Sequence, residues 1–186
     1  ALAGNHVLLQ IVVLWAFVLD AFAFVTETEA GRAFGRKSIT ELRRAVRLTA
    51  EPMIVSGLVF AVLTYLFGAQ ALSAVVNDAE ARDAAIRYLP WCAAIPLLGV
   101  GAWLLDGVFI GTTSGKTLRD AGIIAVVIYL VADFLLASPF GNHGVWAAFV
   151  IFYVARGGAL LAHYPSLERR LQPVPTASDI EPNPSA

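Results

Sequence analysis

Residues 91–116 read WCAAIPLLGVGAWLLDGVFIGTTSGK, an almost wholly apolar run that carries one carboxylate, Asp106, and closes on a small-residue turn before Lys116. A helix needs about 20 mainly apolar residues to cross a hydrocarbon core of roughly 30 Å, and this segment meets that requirement. Four further runs do the same, giving approximate spans Val7–Val25, Met53–Leu72, Tyr88–Gly111, Ala121–Ala137 and Val145–Leu161. The whole chain agrees with them: 58% of its 186 residues are hydrophobic and 15% charged, too apolar for an ordinary soluble domain. The reading is an all-α, polytopic membrane helix bundle of about five transmembrane helices, with the lipid bilayer as its first partner.

A formal net charge of −1 provides no global field for nucleic acid, and no nucleic-acid partner is expected. Cys92 is the only cysteine, which excludes internal disulfides and thiolate clusters and reads as a small buried residue. With no HExxH and no grouped His and Asp, neither a metal site nor a cofactor is expected. The chain opens at Ala1 without an initiator Met, and its first apolar run lacks the basic start of a signal peptide. It reads as a piece of a longer protein.

Charge placement gives an orientation. Arg32, Arg36, Lys37, Arg43, Arg44, Arg47, Lys116, Arg119, Arg169 and Arg170 flank alternate ends of the spans, and these are ten of the thirteen Lys and Arg residues. Only Arg82 and Arg87 flank the opposite ends. The positive-inside rule then places the chain start outside and the C-terminal tail in the cytoplasm of a multi-pass protein of the cytoplasmic (inner) membrane. From Pro165 onward the tail is proline-rich and poor in apolar residues, and residues 165–186 are expected to be disordered. In the first basic loop, SITELRRAVRLTAEP spaces Ser38 and Glu41 as a capping box. It also places Ile39, Leu42 and Val46 on one face and Arg43, Arg44 and Arg47 around the other. A short interfacial helix over about 38–50 is expected. Membrane-surface packing and specific recognition of anionic lipid are both open to it.

An ionised group at mid-bilayer costs about 3 kcal/mol on insertion scales, so it normally faces a cavity or a partner. Asp20, Glu27, Asp106, Asp133 and Arg156 are the candidates. At about 1.5 Å per residue, Asp20 lies roughly 18 Å above Arg32, Asp106 roughly 15 Å above Lys116 and Arg156 roughly 10 Å above His163. These three share one depth band. On the first span His6, Gln10, Phe17, Asp20, Phe24 and Glu27 recur at helical spacing and form a polar and aromatic stripe. On the third span Gly99, Trp103, Asp106, Ile110 and Thr113 form the comparable face. Pro90 and Pro96 can bend that span, and Gly107 with Gly111 offers a small-residue surface to a close neighbour. Asp106 and Asp20 therefore have two readings, a structural ion pair with Arg156 or a polar transport site. Asp133, near the outer turn, reads as interfacial, and His6 and His143 read as solvent-facing.

The stretches LDAFAFVTETEAGRAFG, YLPWCAAIPLLGVGAWLLDGVFIGTTSGKTLRDA and GNHGVWAAFVIFYVARG occur in that order. Together they resemble the C-terminal lobe of multidrug and toxic compound extrusion (MATE) transporters, in the branch like the DNA-damage-inducible protein F (DinF). The resemblance covers about residues 1–163. Family members have twelve transmembrane helices in two lobes and exchange protons or sodium for organic cations and other amphiphiles. It implies that the five spans correspond to helices eight to twelve, and that the N-terminal lobe and the seventh helix are the missing partners. Asp20 matches the aspartate of the branch's LDGFAF, with Ala21 in place of glycine, and Glu27 matches the glutamate of AAEALVG. Glu29 stands where an apolar residue is usual. Asp106 matches the aspartate of LDGIFIG, whereas the tenth-helix carboxylate of the sodium-driven branch falls near Gly99.

The expected function is that of a cation-coupled antiporter, driven by H+ or Na+, that exports small organic and often cationic amphiphiles. Asp106 and Asp20 would take the coupling ion or proton, and Arg156 is the ion-pair partner to weigh against that role. Gln10, Phe17, Phe24, Glu27 and Trp103 would line the substrate cavity. Burial favours a neutral carboxyl while a nearby cation favours the carboxylate, so proton and cation compete for one site. A lipid-linked precursor flippase of the same superfamily is the alternative, and it favours a more basic cavity. An intramembrane aspartyl protease is a remoter one, since WLL precedes Asp106 where such enzymes carry Gly-x-Gly. No enzymatic activity is expected.

Overall fold

The computed structural model describes residues 2–171, and every regular element among them is helical. In chain order these are α1 (Leu2–Gly35), α2 (Ile39–Val75), α3 (Ala79–Leu98), α4 (Val100–Gly111), α5 (Gly115–Phe140) and α6 (Asn142–Arg169). α3 and α4 are two parts of one span broken at Gly99, so five helical rods are long and apolar enough to cross a membrane. The protein is an all-α polytopic membrane bundle. α1 packs on α2, α3 and α4, while α5 lies mainly against α6, which also reaches α3 and α4.

The two turns at the basic end are one design used twice. After α1, Lys37 is left-handed (φ 53°), Lys37 N–H donates to Phe34 O (3.0 Å) and Ser38 N–H to Ala33 O (3.1 Å). After α4, Thr113 is left-handed (φ 53°), Thr113 N–H donates to Ile110 O (3.0 Å) and Ser114 N–H to Phe109 O (2.9 Å). Both are Schellman closures, which satisfy the last carbonyls of a helix within three residues. Ser38 then caps α2 by accepting from Glu41 N–H at 3.2 Å. At the opposite end Asp78 caps α3, and Gly141 (φ +57°) alone separates α5 from α6.

Several expected boundaries need correction. The segment expected as a separate interfacial helix over 38–50 is the first part of α2, which runs unbroken through Pro52 into the apolar span. The connection expected between the spans ending at Leu72 and starting at Tyr88 is largely helical, because α3, capped by Asp78, begins nine residues before Tyr88 and its Ala-rich first turns favour helix. The tail expected to be disordered from Pro165 is helical as far as Arg169, held by Leu167 and Leu171, both buried with Leu42, Phe109 and Leu160. Residues 172–186 of that tail lie outside the described residues.

Two buried clusters fill the bundle. One joins Leu8, Leu19, Met53, Ile95, Trp103 and Trp146; the other, at the basic end, joins Ala33, Leu42, Phe109, Leu160 and Leu167. Close approach of α1 and α4 depends on glycine. A Cβ on Gly107 would meet the carbonyl of Ala23, and one on Gly111 would meet that of Glu27. In hydrocarbon, where lipid tails compete for apolar side chains, such backbone-to-backbone packing is a main source of helix association.

Candidate functional site

The break at Gly99 arises locally. The Trp103 ring folds back over Gly99, where any Cβ would strike it, and it stacks on Tyr153 of α6 with ring centroids 4.8 Å apart. One turn further along α4 comes Asp106, and one turn beyond Tyr153 on α6 comes Arg156. Their side chains meet as a fork: Arg156 Nε donates to Asp106 Oδ2 at 2.9 Å and Oδ1 at 3.2 Å, and Nη2 donates to Oδ1 at 2.9 Å. The two side chains are 23% and 24% exposed, so the pair is shielded yet reachable. Such forked, charge-assisted contacts are among the stronger hydrogen bonds in proteins.

The pair lies on the wall of a cleft of about 250 Å³ between α1, α4 and α6. Asp20, Phe24 and Glu27 of α1 line it, together with Trp103, Asp106 and Arg156. With Gly107 and Ile110, which line it too, eight of the residues singled out by sequence share one space. Gln10 and Phe17 do not line it; they lie on the same face of α1 nearer its start and are exposed, Phe17 to 69%. Asp20 forms no ion pair among the described residues. In formal charges, Asp20, Asp106 and Arg156 sum to −1 at this depth before Glu27 is counted.

Asp133 is half-buried in α5 and lines none of this cleft. His6 is exposed, whereas His143, also on the surface, accepts at Nδ1 from Trp91 Nε1 at 3.0 Å and packs edge-on to Tyr88. Cys92 is buried with its thiol directed at Leu8 O. No group of His, Cys, Asp and Glu among the described residues could hold a metal ion. Because Arg156 engages both oxygens of Asp106, this carboxylate is not arranged to share a proton with a second one, as a protease dyad requires.

Two features escaped the sequence. Tyr153 supports Trp103, and a reciprocal amide pair closes the other end of the bundle: Asn5 Nδ2 donates to Asn142 Oδ1 (2.6 Å), Asn142 Nδ2 donates to Asn5 Oδ1 (2.8 Å), and Trp146 Nε1 donates to the same Asn5 Oδ1 (3.0 Å). The only local signal for either was the helical spacing of Asn142 with Trp146 and of Tyr153 with Arg156.

Five apolar rods, with a broken central one that carries a carboxylate forked to an arginine in a polar cleft, define a multi-pass membrane protein with an intramembrane polar site. The sequence model of the MatE family matches residues 1–142, and the chain belongs to that family. It is 32% identical over 162 residues to DNA damage-inducible protein F of Escherichia coli (strain K12), a match that takes in 87% of this chain and 35% of that protein. The chain thus spans about a third of the length of this relative. No solved structure matches it.

Proposed function

We propose that this chain supplies part of a cation-coupled antiporter, driven by H+ or Na+, that exports organic and often cationic amphiphiles across the cytoplasmic membrane. In this reading the arginine-rich turns face the cytoplasm, and the remaining helices of the transporter close the open side of the cleft. The observation that carries it is the cleft itself, where Asp20, Asp106 and Arg156 meet at one depth with one negative charge in excess. One monovalent cation neutralises that excess. A proton, a sodium ion and a lipophilic cation therefore compete for the Asp20 carboxylate that Arg156 leaves unpaired, which is the condition for exchange. Phe24 and Trp103 supply aromatic surface that attracts an organic cation, and Glu27 extends the acidic wall.

Arg156 acts as an internal competitor. While the site is empty it holds Asp106; when a cation binds, the fork loosens and the broken α3–α4 span is free to readjust about Gly99. Membership of the MatE family supports transport rather than enzyme chemistry. The flippase alternative, which favours a basic cavity, is weakened because Arg156 is the only basic side chain lining the cleft among the described residues and is engaged by Asp106. The test is export of a fluorescent organic cation by cells or proteoliposomes carrying the full-length protein. Asp20→Asn and Asp106→Asn should each abolish ion-dependent export, and export unchanged by both would refute the assignment.

A further inference from the structure

A second cleft, of about 550 Å³, opens between the last turns of α1 and the first turns of α2, and the transport reading makes no use of it. Its character changes with depth. Val25 and Leu48, 52% and 57% exposed, form its apolar wall. At its basic end stand Arg32, Arg36 and Arg44. At about 1.5 Å per residue, Val25 lies roughly 16 Å from Arg36 along α1, so the cleft runs from the basic end well into the apolar part of the bundle.

The charges are arranged rather than merely crowded. Glu29 holds Arg32 (2.7 Å), and Glu41 holds Arg36 (3.2 Å), while Arg44 forms no ion pair among the described residues. Three guanidinium groups against two carboxylates leave one positive charge. A phosphodiester carries one negative charge, presents paired oxygens that suit guanidinium forks, and in a glycerophospholipid comes attached to acyl chains. An exposed apolar wall continuous with a cationic mouth, at the level where a helix leaves hydrocarbon, fits both parts of that molecule.

We propose that the α1–α2 cleft is a binding site for one anionic phospholipid, with its phosphate on Arg36 and Arg44 and an acyl chain along Val25 and Leu48. The continuity of α2 gives the site its form. Because the Arg-bearing segment Arg43–Arg47 is the first part of the transmembrane helix and not a detached surface helix, headgroup and chain contacts are fixed on one rigid rod. Lipid seated there bridges α1 and α2 at the end where the first Schellman turn joins them.

The experiment is native mass spectrometry of the full-length protein released from detergent micelles doped with phosphatidylglycerol, with phosphatidylcholine, or with both. The expected result is preferential retention of one phosphatidylglycerol. Arg44→Gln should weaken retention about fivefold and Arg36→Gln/Arg44→Gln about 25-fold, the factor expected for each basic residue beside an anionic headgroup. Leu48→Glu, which leaves the arginines in place, should weaken it as well, and Arg82→Gln/Arg87→Gln at the other end should not. Excess inorganic phosphate should leave the lipid bound. Equal retention of phosphatidylcholine, no retained lipid, displacement by inorganic phosphate, or full retention in the double arginine variant would each overturn the proposal. Since Arg44 and Leu48 are exposed on α2 and Arg36 is exposed in the turn before it, unchanged helical circular dichroism separates lost binding from lost folding.

Discussion

The α3–α4 span and α5 are both apolar enough to cross a membrane, yet they have opposite places in the molecule. α3–α4 lies at the centre, with Cys92, Ile95, Val108 and Phe109 almost wholly covered. α5 lies at the edge, where Ile123, Val127 and Leu130 are open and Phe134 is 81% exposed. What separates them is the kind of residue set among the apolar ones. The central span is interrupted at Gly99, admits the backbone of α1 at Gly107 and Gly111, and carries Asp106, which needs a partner. α5 leaves branched apolar side chains exposed on its outer face and bears half-buried Asp133 near its end. Hydropathy therefore counts spans, while small residues and misplaced charges say which span is central.

The contrast between centre and edge should be felt most strongly at the fork. Arg156→Ala leaves Asp106 without its cation and should destabilise the bundle by about 3 kcal/mol, the lower end of the usual range because the pair is partly exposed. Asp106→Asn/Arg156→Gln should recover most of that loss, as read by denaturant unfolding in detergent. A double variant as unstable as the single would show that the fork is not the relevant interaction. Next comes the crossing of α1 and α4: Gly111→Leu should cost about 2 kcal/mol through overpacking against Glu27. The matching change on the edge helix, Val127→Leu, should stay within about 0.5 kcal/mol. If thermal unfolding ranked these two the other way, the assignment of centre and edge would fail.

The smallest effect is expected at the turn that ends the central span. Thr113 is left-handed, a conformation that glycine adopts without a Cβ penalty, so Thr113→Gly should raise stability by about 0.5 kcal/mol after its unfolded-state entropy is deducted. A clear loss of stability in the same unfolding assay would mean that the Schellman closure is not what holds this turn.

The five spans were legible in the sequence because a run of about 20 apolar residues suits a membrane crossing and little else. The wall formed by Asp20, Phe24, Glu27, Trp103 and Asp106 was legible because helical spacing sets which residues share a face. Spacing does not tell how far along that face a neighbour of this chain extends: Gln10 and Phe17 share the face but lie exposed outside the cleft that Asp20, Phe24 and Glu27 line. Helix ends were misjudged for a related reason. Arg, Glu and Ala at the aqueous ends continue a helix as readily as they form a loop, and the extensions of α3 and α6 follow from that. The partnerships of Trp103 with Tyr153 and of Asn5 with Asn142 join positions fifty or more residues apart, and nothing local announces them.

If one cation neutralises the Asp20, Asp106 and Arg156 cluster, an organic cation must displace the ion already there, and the displaced ion can be measured. Full-length protein in lightly buffered detergent, or equilibrated with radioactive sodium, is titrated with a lipophilic cation while proton and sodium release are followed. Release of one or other ion is expected with wild-type protein, and none with Asp20→Asn/Asp106→Asn. Undiminished release from that double variant would place the coupling site elsewhere.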